Sequence, residues 1–309
     1  MNIAEIIRKT DKTLFSFEVL PPLKGKSIEG IYKTIDPLLE FNPQFINITT
    51  HCEQYDKNGK RTRKRPGTVA VAAAIKHKYN IPVVPHILCG GFTREETEYV
   101  LIDLNFLGIE NLLVLRGDGR NKENYTPEEA GNRYAVDLLR QINDMNHGKY
   151  LDDSETNAST ITNFNCGVAG YPEKHYSAAS LDEDIQHLKE KVDAGAQYIV
   201  TQMFFDNQKF YDFVEKCRKI GITVPIIPGL KPIGFMNQVD VLPRIFACHL
   251  PDVLEKNLRQ CKTDADAAKV GTEWSIYQAK ELIKFGVPSL HWFTYSDPSQ
   301  VVEIAKSIY

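Results

Sequence analysis

The 309-residue chain has no apolar run of the roughly 18 residues that a membrane-spanning helix needs. Its first stretch, MNIAEIIRKTDKTLF, lacks the long uncharged segment of a secretory leader and reads as a short amphipathic helix. Cysteine is scarce and scattered. Cys52, Cys89, Cys166, Cys217, Cys248 and Cys261 form no C-x-x-C pair, so reduced thiols and a cytoplasmic location are expected. The glycosylation triplets at Asn47 and Asn157 then carry no meaning. Neither sign of charge dominates: the formal net charge is −3, which implies no nucleic-acid surface and no polybasic membrane patch. No G-x-G-x-x-G follows an apolar run and no G-x-x-x-x-G-K-[ST] occurs, so the usual dinucleotide and phosphate loops are missing. No H-x-H or H-E-x-x-H spacing is present, and no metal is expected. A break in composition, a linker and a repeat are also lacking, which favours one domain over residues 1–309.

What the chain does have is alternation. Eight short runs rich in β-branched and aromatic residues read as buried strands: 13–20, 44–49, 82–88, 111–117, 166–171, 198–205, 224–230 and 289–295. Segments with helical spacing lie between them. Residues 27–41 place Ile28, Ile31, Ile35, Leu38 and Leu39 on one face. Thr93 followed by Glu95 and Glu96 marks a helix start, and glycines at 195, 221 and 286 follow three later helical segments. Eight strand and helix units predict an α/β fold, a single (β/α)8 TIM barrel, over a doubly wound sheet. Residues 147–164 read as a surface insertion on the face away from the site, and 243–262 as extra helix in the last strand-to-helix connection.

A barrel of this kind builds its site at the C-terminal ends of its strands. Those ends carry Glu18, Thr49, His86, Arg116-Gly117-Asp118, Tyr171 with His175, Gln202, Lys231, and His291 with Thr294 and Tyr295. Glu18 sits between Phe17 and Val19 and precedes a rigid Pro-Pro, the setting of a partly desolvated carboxyl. Desolvation favours the protonated form and suits a carboxyl group to act as an acid near neutral pH. The same residues have plainer readings. Glu18 is also compatible with a solvated strand end, His86 with a core histidine and Gln202 with a core amide. Lys231 also allows a Schiff-base aldolase, and Arg116-Gly117-Asp118 has the letters of an adhesion signal. The residues alone leave a cofactor enzyme, an aldolase-type enzyme and a receptor-binding protein open.

Seven stretches carry a resemblance. FSFEVLPP (15–22), PHILCGG (85–91), LVLRGD (113–118), GVAGYPEKH (167–175), LKEKVDAGA (188–196), TQMFFD (201–206) and IIPGLKP (226–232) resemble, in order, the signatures of the 5,10-methylenetetrahydrofolate reductase family. The resemblance runs from Phe15 to Tyr295 and implies the short catalytic form, without the C-terminal regulatory domain of longer members. It implies non-covalent FAD at the strand ends and reduction of 5,10-methylenetetrahydrofolate to 5-methyltetrahydrofolate by NADH or NADPH in ping-pong fashion. It also implies a homo-oligomer. By position, Glu18 corresponds to the general acid, and Asp118 to the carboxylate beside flavin and pterin. Thr49, His86, Arg116, Gly117, Asp118, Ala135, Tyr171, His175, Ala178, Asp184 and Lys191 correspond to FAD contacts. Gln202 and Gln238 correspond to folate-binding amides. His187 and Glu190 stand where Asn and Arg are common, and Asp297 where the family often has Arg.

Overall fold

A computed structural model describes residues 2–50, 54–55, 61–62, 64–117, 127–152 and 161–309. The barrel strands are β1 (Leu14–Val19), β2 (Phe45–Ile48), β3 (Val83–Leu88), β4 (Asn111–Leu115), β5 (Asn165–Gly170), β6 (Tyr198–Thr201), β7 (Ile226–Ile227 and Gly229–Leu230) and β8 (Ser289–Tyr295). Every neighbouring pair is parallel. β7 is broken at Pro228. Its first half pairs with β6 and its second with β8, so the two halves bring the ring of strands together around one proline. Proline has no N–H to give a ladder, but the Pro228 carbonyl accepts from the His291 N–H at 3.0 Å. The expected barrel is therefore present, with most strands shorter than expected. β6 ends at Thr201 rather than Phe205, and the Thr201 hydroxyl accepts from the Gly229 N–H at 3.0 Å where the ladder stops.

The outer layer holds α2 (Glu29–Ile35), α3 (Thr68–Tyr79), α4 (Arg94–Phe106), α5 (Ala135–Asn146), α6 (Leu181–Asp193), α7 (Asn207–Lys219), α10 (Asp264–Phe285) and α11 (Ser299–Ile308). The helix expected over 27–41 is only α2. Pro37 then removes a donor, and residues Asp36–Phe41 tighten to a 3-10 helix. α8 (Gln238–Phe246) and α9 (Asp252–Gln260) are the extra helices expected between β7 and β8. They enclose their own apolar cluster around Leu242, Leu254 and Leu258, shared with Met203 and Phe293. The middle of the 147–164 insertion lies outside the described residues.

Strand parity divides the barrel in two layers. Phe15, Phe17, Ile46, Ile48, Leu112, Val114 and Trp292 face the helices. Inside, Phe45, Val84, Leu113, Tyr198, Val200 and Ile227 fill the end where the strands begin. The opening at that end is closed by α1 (Ile3–Arg8), whose Ile3 and Ile7 join this inner cluster. Asn2 caps α1 by accepting from the Glu5 N–H, and the Ile3 N–H donates to Asn111 Oδ1 at 3.0 Å at the start of β4. The interior is mainly apolar below. It turns polar toward the strand C-termini, where Glu18, Asn47, Thr49, His86 and His291 lie buried.

Gly167 on β5 marks how tightly the lower layer packs. A Cβ there would run into the ring of Tyr198, whose hydroxyl donates to the Leu112 carbonyl at 3.0 Å. Gly167→Ala is expected to cost about 1–3 kcal/mol of stability, read as a lowered urea midpoint. The loss should shrink when Tyr198→Leu is added, because the two sites share one contact.

Candidate active site at the strand C-termini

Glu18 points inward from β1 and is only 7 % exposed. Its placement depends on a register slip: Glu18 pairs with Phe293 and Val19 with Tyr295, so β8 carries one extra residue there. The Thr294 hydroxyl donates to the Glu18 carbonyl across the slip, and Tyr295 takes a positive φ of 54°. A non-glycine residue in that region carries backbone strain that the surrounding structure must hold.

Two imidazoles flank the carboxyl group. His86 Nε2 from β3 and His291 Nε2 from β8 each lie 3.9 Å from Glu18 Oε2. His291 is held from behind through its other ring nitrogen, whereas His86 is met by a neighbour on the same nitrogen that faces Glu18. The Asn47 amide nitrogen lies 3.3 Å from His86 Nε2, and the Ser16 hydroxyl lies 3.0 Å from His291 Nδ1. Phe45 stacks on the His291 ring with centroids 6.0 Å apart. Three buried polar atoms around the carboxyl, Asn47 Oδ1, Thr49 Oγ1 and His291 Nε2, have no hydrogen-bond partner within the chain. Buried polar atoms seldom stay unpaired, so this layer is built to receive polar atoms from outside the chain.

Lys231, at the end of β7, borders the same chamber. Its Nζ donates to the Pro232 carbonyl at 3.1 Å and lies 5.1 Å from the centre of the Tyr295 ring. Burial pulls the ammonium down to about 8, against the upward pull of Glu18 and Asp297. Burial also raises the Tyr295 phenol, with Glu18 adding to it. Asp297 is held low by hydrogen bonds from the Ser299 hydroxyl and N–H, and Lys231 adds to this.

A second group gathers at the ends of β4 and β5. Arg116 donates to the Tyr176 hydroxyl at 3.0 Å, and its guanidinium lies 5.8 Å from that ring. Gly117 takes a φ of +86°, a conformation that favours glycine. The Tyr171 and His175 rings meet edge to face at 4.8 Å, and His175 also packs on Tyr176 at 4.3 Å. Asp184 on α6 accepts from the His175 N–H at 2.8 Å. Burial raises the Asp184 carboxyl, opposed first by that hydrogen bond and then by Lys191. Lys191, two turns further along the same face of α6, donates to the Ala169 carbonyl at 3.0 Å. Burial brings its ammonium down to about 8; Asp184 opposes the shift and Arg116 reinforces it.

Glu18, Thr49 and His86 therefore meet in one chamber, and Arg116, Tyr171, His175, Asp184 and Lys191 in a basic cluster beside it. Ala178 borders that cluster, its carbonyl accepting from Lys174 at 2.8 Å. Gln202 follows β6 directly, and its Oε1 accepts from the Met203 N–H at 2.8 Å. Gln238 opens α8 and accepts from the Gly234 and Phe235 N–H groups at 2.7 and 3.2 Å, which pins the loop after Lys231. Ala135 opens α5 and packs half-buried against the helix layer, so it offers no polar side-chain group. Asp118 lies outside the described residues. Asn47 and Ser16 were missed as site residues, and His291 was noted at its strand end without a role. Their signal was strand parity, since each shares the inward face of its strand with a residue that had been singled out.

The parallel barrel, with a buried acid between two histidines and a basic cluster at the strand C-termini, defines the class: a (β/α)8 protein with its site at the C-terminal mouth. The chain belongs to the methylenetetrahydrofolate reductase family, whose model matches residues 2–309. It is 32% identical over 286 residues to methylenetetrahydrofolate reductase 1 of Schizosaccharomyces pombe, covering 92% of this chain and 44% of that one. It is 29% identical over 313 residues to methylenetetrahydrofolate reductase (NADH) 1 of Arabidopsis thaliana, covering 98% and 49%. The chain thus spans about half the length of these curated relatives. The 5,10-methylenetetrahydrofolate reductase of Salmonella typhimurium is 29% identical over 282 residues, covering 90% of this chain and 85% of that one. Among solved structures, a Clostridium thermocellum protein described as binding two copies of 5-methyl-5,6,7,8-tetrahydrofolic acid superposes with a TM-score of 0.63 at 15% identity, covering 98% of both chains. Oxaloacetate acetylhydrolase superposes at 0.52 with 10% identity, covering 94% of this chain and 79% of that one. Both structures support the barrel fold alone. No described helix is long and apolar enough to cross a membrane.

The buried ammonium of Lys191 gives a stability prediction. Its folded value, about 8, lies below the ordinary lysine value of 10.5. Between those values the unfolded chain holds more protons, so this group's contribution to stability rises with pH across that window. Lys191→Met removes the buried charge. In ligand-free protein it should raise the melting temperature near pH 7 by about 2–4 °C. The gain should close as the pH passes 10, in melts recorded across that range.

Proposed function

We propose that residues 1–309 form one catalytic barrel that reduces 5,10-methylenetetrahydrofolate to 5-methyltetrahydrofolate with NADH or NADPH as donor. The observation that carries this reading is Glu18, buried at the C-terminal mouth of a barrel of this family and flanked by two imidazoles at 3.9 Å. Relatives named for NADH and for NADPH both occur, in Arabidopsis thaliana and Caenorhabditis elegans respectively. Neither name assigns a donor to this chain.

The residues present fit FAD. Arg116 and Lys191 offer two cations for a diphosphate. Thr49 offers a buried hydroxyl without a partner in the chain. Gly117 lets backbone approach a flat ring system, and Tyr171 and His175 supply half-buried ring surface. In this reading Thr49, His86, Arg116, Gly117, Asp118, Ala135, Tyr171, His175, Ala178, Asp184 and Lys191 hold FAD. Asp184 acts by bracing the His175 backbone and balancing Lys191, and Ala135 and Ala178 act through backbone and shape. When bound, FAD supplies a two-electron carrier that takes hydride from the nicotinamide and delivers it to the folate in alternate, ping-pong half-reactions.

The chain's own part is proton movement and placement. Glu18 gives its proton to N10 of the folate, the C–N10 bond of the methylene bridge opens, and a cationic iminium forms at N5. Burial keeps the carboxyl out of bulk water until substrate arrives. Asp118 places negative charge beside that cation. The Gln202 and Gln238 amides hydrogen-bond the polar edges of the folate, and the chamber excludes water that would otherwise capture the iminium.

Purified protein should bind FAD in one-to-one ratio, seen in its visible absorbance. A colourless protein that takes up no added FAD would overturn the reading. Glu18→Gln should slow oxidation of the reduced protein by methylenetetrahydrofolate at least about 100-fold, the usual scale for a lost general acid. In anaerobic stopped-flow, reduction by the nicotinamide should change far less. Equal slowing of the two half-reactions would remove Glu18 from the acid role.

A further inference from the structure

Lys231 is one of the titratable groups beside Glu18 that the proposed mechanism does not use, and the one with an exposed carboxylate on its other side. Along β7, Ile227, Gly229 and Lys231 alternate inward, since Ile227 belongs to the inner cluster and a Cβ at Gly229 would meet Phe293 and the Thr201 carbonyl. β8 separates β7 from β1, and both neighbours address its inward face at the same level. Leu230 pairs with Trp292 and Glu18 with Phe293. Lys231 and Glu18 therefore flank β8 from either side of one barrel layer. Lys231 feels the charge of both Glu18 and Asp297. Glu18 is 7 % exposed, while Asp297 is among the exposed residues in the turn after β8. The ammonium thus stands between a buried carboxyl and a solvated one.

Resting on the functional reading above, we propose that Lys231 is a positioning and proton-supplying residue that returns a proton from solvent to the Glu18 carboxylate after each opening of the methylene bridge. The reaction consumes one hydride and one proton per turnover. The proton that leaves Glu18 ends on N10 as a secondary amine, and the hydride ends in the N5 methyl group. Glu18 is left as a carboxylate at the bottom of a chamber filled by product. The Lys231 ammonium gives it a proton across water, and the neutral amine takes another from solvent at the mouth. The four-carbon stem supplies the reach. The groups facing the amine are Glu18 from β1, and Tyr295 and Asp297 from β8 and its following turn. Both carboxylates hold the proton on nitrogen, and burial loosens it to about 8. An ordinary lysine would hold its proton too tightly to serve near neutral pH.

The main test uses the FAD-bound enzyme as wild type, Lys231→Met, Lys231→Arg and Lys231→Ala, with Glu18→Gln for a second readout. The folate half-reaction of wild type should fall as pH rises through about 8. Lys231→Met should be about tenfold slower at pH 7 under multiple turnover and should lose that alkaline limb, with FAD content and melting temperature retained. Arginine keeps the charge but does not release a proton, so Lys231→Arg should stay slow. Ethylammonium added to Lys231→Ala should restore rate. A second readout needs no flavin: in lysine labelled with 13C at Cε, the titration midpoint of Lys231 should drop in Glu18→Gln, because a carboxylate that holds the proton is gone. Lys231→Met with wild-type rate and limb, full recovery in Lys231→Arg, or an unmoved midpoint in Glu18→Gln would each overturn the proposal. Wild type that shows no folate half-reaction would instead overturn the functional reading, and this proposal with it.

Discussion

The structure depends on closing the strand ring around an interior that changes character along its length. Below, Phe45, Leu113, Tyr198 and Ile227 pack against the plug of α1. Above, the inward positions of the same strands are Glu18, Asn47, His86 and His291, with Gln202 directly after β6. A carboxyl group is costly to place in such a setting unless polar neighbours surround it. The closed lower layer is what allows the upper one to exist, because it gives Glu18 a fixed, largely apolar floor. Closure itself turns on Pro228. The break in β7 is spanned by the Pro228 carbonyl and the Thr201 hydroxyl, so the last gap in the ring falls beside the strand end that carries Lys231.

Much of this was legible in the residue order. All eight strands fall within the apolar runs that marked them or begin one residue before, and the capping signal at Thr93 opens α4 with Glu96 returning the bond. Where the reading overshot, the cause is local chemistry. Apolar letters continue to Phe205, but the β6 ladder ends at Thr201; Met203 and Phe205 leave the barrel to pack under α8 and α9. Hydrophobicity marks burial, and it does not say which core a residue joins. Pro37 and Pro228 were visible as letters, yet their effects depend on which carbonyls lie opposite. The slip between Glu18 and Val19 has no signature in either strand alone, because it belongs to their pairing.

The site shows the same division. Glu18, His86, Arg116 and Lys191 stood out by type and position. His291 was noted at its strand end but given no role, and Asn47 did not stand out, because an asparagine inside an apolar run has an ordinary core reading. Only the ring of strands brings His86 and His291, 205 residues apart in the numbering, to equal distances from one carboxyl oxygen. The basic cluster was partly legible through Arg116 and Lys191, but the role of Asp184 as a brace on the His175 backbone needed the fold of the loop after β5.

The two lysines at the mouth show how burial converts a common residue into a tunable one. Lys191 and Lys231 are both drawn down to about 8, chiefly by desolvation, and each is opposed by a carboxylate. Their surroundings separate their uses. Lys191 has Arg116 as a neighbour, so that corner concentrates positive charge and favours an anion. Lys231 has Glu18 and Asp297, so its positive charge is already balanced and adds little attraction for an anion. A balanced ammonium beside a buried acid is better suited to exchange a proton than to hold a phosphate. Asp297, standing where the family often has Arg, fits the same logic: with an arginine at that position the lysine would face a second cation, and desolvation would have one less carboxylate to oppose it.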